Sequence, residues 1–426
     1  MLQNYLEMIQ AIDARREALY LSDCVYTYGD LIHFAKERQK QIPETKQRIL
    51  YVIQTESILE QLIGFLACQG TQAVPLIVPS DISIPKEFFE VDIPEKTCMA
   101  VMTSGTTGTG KLLFRTFSSW YDYFKIQNQI FGIGAESRLF MQGSLSFTGN
   151  LNLYLAQFSV GAVVIGVEIF DPRSWKAEIE QNRANGIYLI PAKLRALKQI
   201  YEREQKKTGR MEPNNQVKLI LSGSQSLGGA EARAFRSIFP NADLILYYGA
   251  SELNYVSYVH GCDMGEDKTL IGRSFPGIKI SLHQGEIHVT TPYGVLGTEK
   301  NQFIGDYGHW DALGNLYFDG RKDDICNING RKVSAVRVEN AILEVDGVQE
   351  VAVGSAKRGN HDMLMAWIVP ERSADCAVED LKKKIYSALR RKLAASEIPQ
   401  GITLLEKLPK NASGKVQKHK LAENKK

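Results

Sequence analysis

Alternation constrains this chain more than any other feature: short apolar runs, each the length of a strand, recur between segments with helical spacing. Arg48–Ile53 reads as a strand buried on both faces, and a helical segment, Ile58 to Cys68, follows it. Gln72–Val78 is the next strand, and the rhythm returns at Ala162–Val167, Gly186–Ile190, Val217–Leu221 and Asp243–Tyr247. Such runs need helices over both faces of a sheet, so the expected fold class is layered α/β. From Ile271 to Tyr317 the texture changes to short strands and turns, with Ile278–Leu282, Gly285–Thr290 and Asn315–Phe318 as strands. A small, mostly β, barrel-like subdomain is expected there.

A third region begins near Asp323. The pattern predicts a helix over Val333–Val345 and strands at Val351–Gly354 and Met363–Val369. Leu381, Ile385, Leu389 and Leu393 recur every four residues along a charged segment, an amphipathic helix, and Ile402–Leu405 is a last strand. The expected organisation is multidomain: a large N-terminal part over residues 1–322 and a small, mobile α/β C-terminal domain over residues 323–426.

Composition removes several function classes. Hydrophobic residues make up 44% of the 426, and 51 Lys+Arg balance 48 Asp+Glu to a net charge of +3. That balance argues against a nucleic-acid or membrane-surface partner. The six cysteines form no C-x-x-C pair, and the seven histidines are scattered, so free thiols in a reducing cytoplasm are expected and a His/Cys metal cage is not. Met1–Glu7 carries an early acid and no sustained apolar core, unlike a secretory signal. Leu151–Phe170 is the most apolar stretch, but Asn152, Gln157, Ser159 and Glu168 interrupt it, so a buried helix followed by a strand is expected instead of a membrane span.

The strongest local signal is Thr103-Ser-Gly-Thr-Thr-Gly-Thr-Gly-Lys111, directly after the apolar run Cys98–Met102. Glycines let the backbone turn tightly and aim N–H groups at phosphate oxygens; hydroxyls add donors and the lysine adds charge. Gly105 and Gly110-Lys111 also satisfy part of a P-loop NTPase pattern, but Leu112 stands where that motif needs a Mg²⁺-binding hydroxyl.

The loop resembles the T-S-G-T-T-G-x-x-K signature of the ANL superfamily of adenylate-forming enzymes, and further motifs follow in the family's order. They are Thr27-Tyr-Gly-Asp-Leu31, Leu221-Ser-Gly-Ser224, Tyr248-Gly-Ala-Ser-Glu252, Gly272-Arg273 with Pro276-Gly277, Gly285-Glu286, Gly305-Asp306, Gly320-Arg-Lys-Asp-Asp324, Asn329-Gly330 and Asn411-Ala-Ser-Gly-Lys415. The resemblance implies that ATP or AMP lies against Thr103, Ser104, Gly105, Thr106, Thr107, Gly108, Lys111, Ser222, Gly223, Ser224, Tyr248, Gly249, Ser251, Asp306 and Arg321. A carboxylate such as Asp306 accepts well from two ribose hydroxyls, and Arg321 offers a fork of donors. Glu252 is implied as catalytic and as a ligand of the Mg²⁺ that ATP brings. Lys415 matches the catalytic lysine, whose ammonium meets charge developing on carboxylate and phosphate. Asp323 falls at the family's hinge, and Gly330 on the path of the incoming thiol.

Two departures bear on the substrate. Phe117 stands where relatives often have a histidine, and Phe147 stands nearest the histidine that opens the acid pocket. Amino-acid-activating relatives pair an aspartate with the substrate ammonium; Thr148 occupies that place without charge, so a plain organic acid is favoured, a fatty acid among them. The expected activity is that of an acyl-CoA synthetase using ATP, Mg²⁺ and coenzyme A. Transfer to a separate acyl-carrier protein, a P-loop NTPase and a nucleotide-binding homologue without turnover stay open as alternatives.

Overall fold

The computed structural model describes residues 3–103, 111–298, 300–328, 330–358, 361–371, 378–409, 416 and 418–423. It falls into two compact units: Met1–Asp267 with Ile271–Ile280 and Val289–Gln302, and Lys268–Leu270 with Ser281–His288 and Phe303–Lys426.

In the first unit, the apolar runs form two sheets. Strands Glu17–Leu21, Val163–Val167, Arg138–Gln142, Gly186–Tyr188, Leu219–Gly223 and Asp243–Ala250 lie side by side in that order, all parallel. Leu219–Gly223 is buried along its whole length, as a strand covered on both faces must be. Antiparallel strands flank the run, Cys24–Thr27 on one side and Asn254–His260 on the other. From Arg138–Gln142 the chain crosses to Val163–Val167 on one side and then returns to Gly186–Tyr188 on the other. The winding reverses at that strand, and a doubly wound sheet opens a crevice at the carboxyl ends of its strands at such a point. The helix that follows, Thr148–Phe158, is buried at every position from Asn150 to Phe158, the polar Asn150, Asn152 and Gln157 included.

The smaller sheet runs Ile49–Gln54, Ala73–Val78, Met99–Thr103 and Lys111–Arg115. Its first three strands are parallel, and the last returns antiparallel so that Thr103 pairs with Lys111. That hairpin brackets the Gly/Thr loop, whose residues 104–110 lie outside the described residues.

The second unit is a three-stranded sheet with helices on it. Val348–Arg358 pairs antiparallel with His361–Pro370, which runs parallel to Gly401–Leu404. Period-two alternation divides the side chains: Val353, Leu364, Ala366 and Ile368 join the helical positions Leu381, Ile385 and Leu389 in one core. Ala352, Trp367 and Val369 join Leu408 and Leu421 in another. The helix expected over Val333–Val345 spans Ala335–Leu343. Val333 and Ser334 end the strand Arg331–Ser334, and the Ser334 hydroxyl caps the helix by accepting the Arg337 N–H at 3.0 Å. Gln302–Trp310 and Leu316–Arg321 form an antiparallel pair in which Asp306 faces Arg321. Among the described residues no helix is long and apolar enough to cross a membrane.

Candidate active site

The parallel sheet brings four chain segments to one edge. Its strands end at Gln142, Tyr188, Gly223 and Ala250, so Gly143–Ser144, Leu189–Ile190, Ser224 and Ser251–Glu252 all leave the sheet on the same side. The Tyr247 ring lies flat over Gly223, where a Cβ would come within 2.4 Å of it, so only glycine fits. Tyr247 and Tyr188 join their hydroxyls at 2.6 Å. Burial pushes the Tyr247 phenol up to about 12 and Tyr188 well above its ordinary value, so this pair is neutral at physiological pH. The Ser222 hydroxyl donates to the Leu189 carbonyl at 2.7 Å, cross-linking two strand ends; its side chain is thereby committed to the scaffold, while Ser224 beyond it is exposed, with φ +69°.

The segment Tyr248–Glu252 is held from behind. Its ladder with Asn254–His260 slips register between Tyr248 and Gly249. Arg115, 1% exposed, donates through Nη2 to the Ser251 carbonyl at 2.6 Å and through Nη1 to the Tyr293 carbonyl at 3.0 Å. Its guanidinium also lies over the Trp120 ring, 5.3 Å from the centroid. Burial pulls Arg115 down to about 10, which leaves it charged at neutral pH. The Glu252 carbonyl accepts the Val295 N–H at 2.9 Å, so backbone bonds on both sides fix the peptide from which the Glu252 carboxylate projects. Across from it, Thr148, the first residue of the helix Thr148–Phe158, brings Oγ1 to 3.1 Å from the Ser251 Oγ. Phe147 precedes that helix and is 40% exposed.

Phe147 and Ser224 line a cavity of about 180 Å³ together with Gln142, Gly143, Tyr188 and Lys193, among others. It opens at the strand where the winding reverses, the crevice that this topology provides.

In the second unit, Asp306 is buried and Arg321, largely exposed, brings Nε to 3.5 Å from its carboxylate. Asp323 sits in the short 3₁₀ turn Lys322–Asp324. Gly330 has φ +81° with open space where a Cβ would stand, so a side chain there meets backbone strain and no collision. Of the residues implied for the site, Ser104, Gly105, Thr106, Thr107, Gly108 and Lys415 lie outside the described residues, while Thr103 and Lys111 bound the loop.

Among the described residues, no group of three or more His, Cys, Asp or Glu is gathered to hold a metal. The lone Glu252 carboxylate suits Mg²⁺ held mostly by substrate phosphates, which takes few protein ligands.

The AMP-binding enzyme family matches residues 36–297, more than half of the chain. The chain belongs to that family. It is thereby a member of the ANL superfamily of adenylate-forming enzymes, and the AMP-binding enzyme C-terminal domain matches residues 337–415. Similar curated proteins include a putative long chain fatty acid-CoA ligase, VraA, of Staphylococcus epidermidis. It is 24% identical over 76% of this chain and 70% of that one. The 2-succinylbenzoate–CoA ligase of Listeria monocytogenes is 27% identical over 77% and 70%. In fold, the chain is similar to the o-succinylbenzoate CoA synthetase MenE of Bacillus subtilis solved with its acyl-adenylate, at TM-score 0.80 and 17% identity over 100% and 99% of the two chains. ATP-bound MatB of Rhodopseudomonas palustris gives TM-score 0.79 at 19% identity over 99% of each chain. The layered α/β fold with a smaller C-terminal unit is therefore that of this superfamily.

Three residues around this AMP-binding fold escape motif reading. Arg115 directly follows the apolar run Leu112–Phe114 within one strand, a charge where a strand should be apolar, and that is its signal. Lys193 sits in the first turn of the helix Pro191–Thr208, where acids are favoured. Lys418 is held between Glu339 at 2.9 Å and Asp324 at 3.3 Å, a grouping of residues far apart in sequence that no local pattern marks.

Proposed function

We propose that this chain is an AMP-forming acid–thiol ligase that activates an organic acid on ATP and passes the acyl group to coenzyme A. One observation carries the reading. Two of the family's motif segments, Leu221–Ser224 and Tyr248–Glu252, leave the carboxyl edge of the parallel sheet side by side, with the Ser251–Glu252 peptide gripped by Arg115 near a cavity of small-molecule size. CoA-ligase names on its relatives, and ATP or an acyl-adenylate in structures of the same fold, support it.

In the first half-reaction, a carboxylate oxygen of the acid attacks the α-phosphorus of ATP. The bond to the pyrophosphate oxygen breaks, leaving acyl-AMP and pyrophosphate. In the second, the thiol sulfur attacks the acyl carbon, its proton passes to solvent, and the bond to AMP breaks. The loop Thr103–Gly108 with Lys111 cradles phosphates through N–H groups, hydroxyls and charge. The adenine lies along Ser222–Ser224 and Tyr248–Gly249, Asp306 accepts the ribose hydroxyls beside Arg321, and Glu252 holds Mg²⁺ that arrives with ATP. Phe147 and Thr148 wall the acid site. Lys415 meets the charge that develops between carboxylate and α-phosphate. Between the half-reactions, the part after Asp323 turns, about residues 323–426 against 1–322, and the backbone at Gly330 then borders the thiol's path. The enzyme works in the cytoplasm.

The test is acid-dependent ATP–pyrophosphate exchange, followed by acyl-CoA formation on the same preparation. Lys415→Ala should lower exchange by about a hundredfold or more, while use of preformed acyl-AMP persists. Exchange within a few-fold of wild type would remove Lys415 from the mechanism. Product formed only with an added acyl-carrier protein would replace coenzyme A as the thiol donor.

A further inference from the structure

We propose that the acid activated here carries a second anionic group, a distal carboxylate, and that Lys193 selects it. This rests on the reading above that the chain activates an organic acid.

Lys193 lines the cavity at the winding reversal. Its Nζ donates to the Gln142 carbonyl at 2.9 Å, one bond among the described residues for a group with three donors. No carboxylate among the described residues neutralises it, and burial alone pulls the ammonium below its ordinary value. Position compounds the cost. Lys193 is the third residue of an 18-residue helix, where the aligned peptide dipoles place positive charge and repel a cation. Gln142, 6% exposed, lines the same cavity, and its shielded Oε1 has no hydrogen-bond partner among the described residues. A helix start and a half-buried cation thus meet at one cavity, with an unpaired amide oxygen buried in its wall.

A carboxylate occupant relieves the first two directly. Volume restricts its size: about 180 Å³ lies below the roughly 300–1,000 Å³ of drug-sized ligand sites. Chemistry restricts its shape. Leu189, Ile190 and Phe147 offer an apolar wall, and Gln142, Asn150 and Lys193 offer polar contacts. A short apolar spacer ending in a charged group matches this lining, whereas a long alkyl tail would lie against an uncompensated ammonium.

The experiment compares unbranched dicarboxylic acids with monocarboxylic acids of matching length, using kcat/KM for acid-dependent pyrophosphate exchange by the full chain. Wild type should prefer the diacid by about tenfold or more, the size of one charge-assisted hydrogen bond. Lys193→Met should collapse that ratio toward one, and Lys193→Arg should retain part of it. A second readout needs no turnover: the diacid alone should raise the melting temperature of wild type and not of K193M. Wild-type preference for the monoacid, or equal loss of both acids in K193M, overturns the proposal and leaves Lys193 as a brace for the Gln142 carbonyl. A K193M defect confined to the thioester step also overturns it, assigning the charge to coenzyme A phosphates. Exchange with neither acid, but a diacid-dependent shift lost in K193M, keeps Lys193 as the site of a distal carboxylate and sinks the reaction assigned above. Neither exchange nor shift overturns both.

Discussion

Each unit of this protein buries a basic side chain, and the two are satisfied in opposite ways. In the first, Arg115 spends its guanidinium on backbone carbonyls, those of Ser251 and Tyr293, with no ion pair among the described residues. In the second, Lys418 lies between two carboxylates, Glu339 at 2.9 Å and Asp324 at 3.3 Å, and Glu339 also accepts the Val353 N–H at 2.7 Å. Carbonyls do not cancel the charge but fix the backbone of the loop that carries Glu252. Carboxylates cancel the charge and tie three chain segments together, which is what a short C-terminal helix needs. Planar Arg suits the first task, and a compact ammonium suits the second.

The contrast breaks most visibly at Arg115. Arg115→Leu should cut pyrophosphate exchange by about a hundredfold, because a shift of the Ser251–Glu252 peptide by even an ångström misplaces what it carries. Melting temperature should change little by comparison, since the variant also removes a buried charge. Arg115→Lys should recover only part, having one ammonium for two carbonyls. Unchanged exchange in Arg115→Leu would mean the loop holds itself.

Lys418 should behave in reverse, with stability as its main readout. Lys418→Met leaves the Glu339 carboxylate buried without its cation and should cost about 2–3 kcal/mol, short of the deepest buried pairs because both side chains keep some exposure. Adding Glu339→Leu should restore much of that loss, because a hydrophobic pair replaces the stranded charge. Denaturant unfolding of the two single variants and the double variant reads the coupling; additive losses would show that the pair acts independently.

The smallest effect is in pH. Burial pulls the Lys418 ammonium down, but Glu339 and Asp324 together outweigh it, so its value stands above the ordinary one. The folded state then holds that proton more tightly than the unfolded chain. The resulting stability is fully present below the ordinary lysine value and is lost as pH rises through the raised one. The gap in melting temperature between wild type and Lys418→Met should therefore narrow above about pH 10.4. A gap that widens there would reverse the assignment.

Much of the architecture was legible because it depends on local periodicity. Leu381, Ile385 and Leu389 are all buried on one helix face, as their spacing required, and the runs at Leu219–Gly223 and Asp243–Ala250 are strands of one parallel sheet. The motifs identified the family for the same reason: a Gly-rich loop or a Tyr-Gly-Ala-Ser-Glu segment is contiguous, so it can be read without the fold. What only the tertiary structure decided is which distant residues serve those segments. Ser251 and Arg115 are 136 positions apart, and Lys418 and Asp324 are 94 apart. Their pairing follows from tertiary packing, of the strand end at Arg115 against the segment after Asp243–Ala250 in one unit and of Lys418–Glu423 against Asp324 and Glu339 in the other. A charge in a sequence carries no address for its partner. Burial makes that partner necessary, and burial is a property of the folded chain.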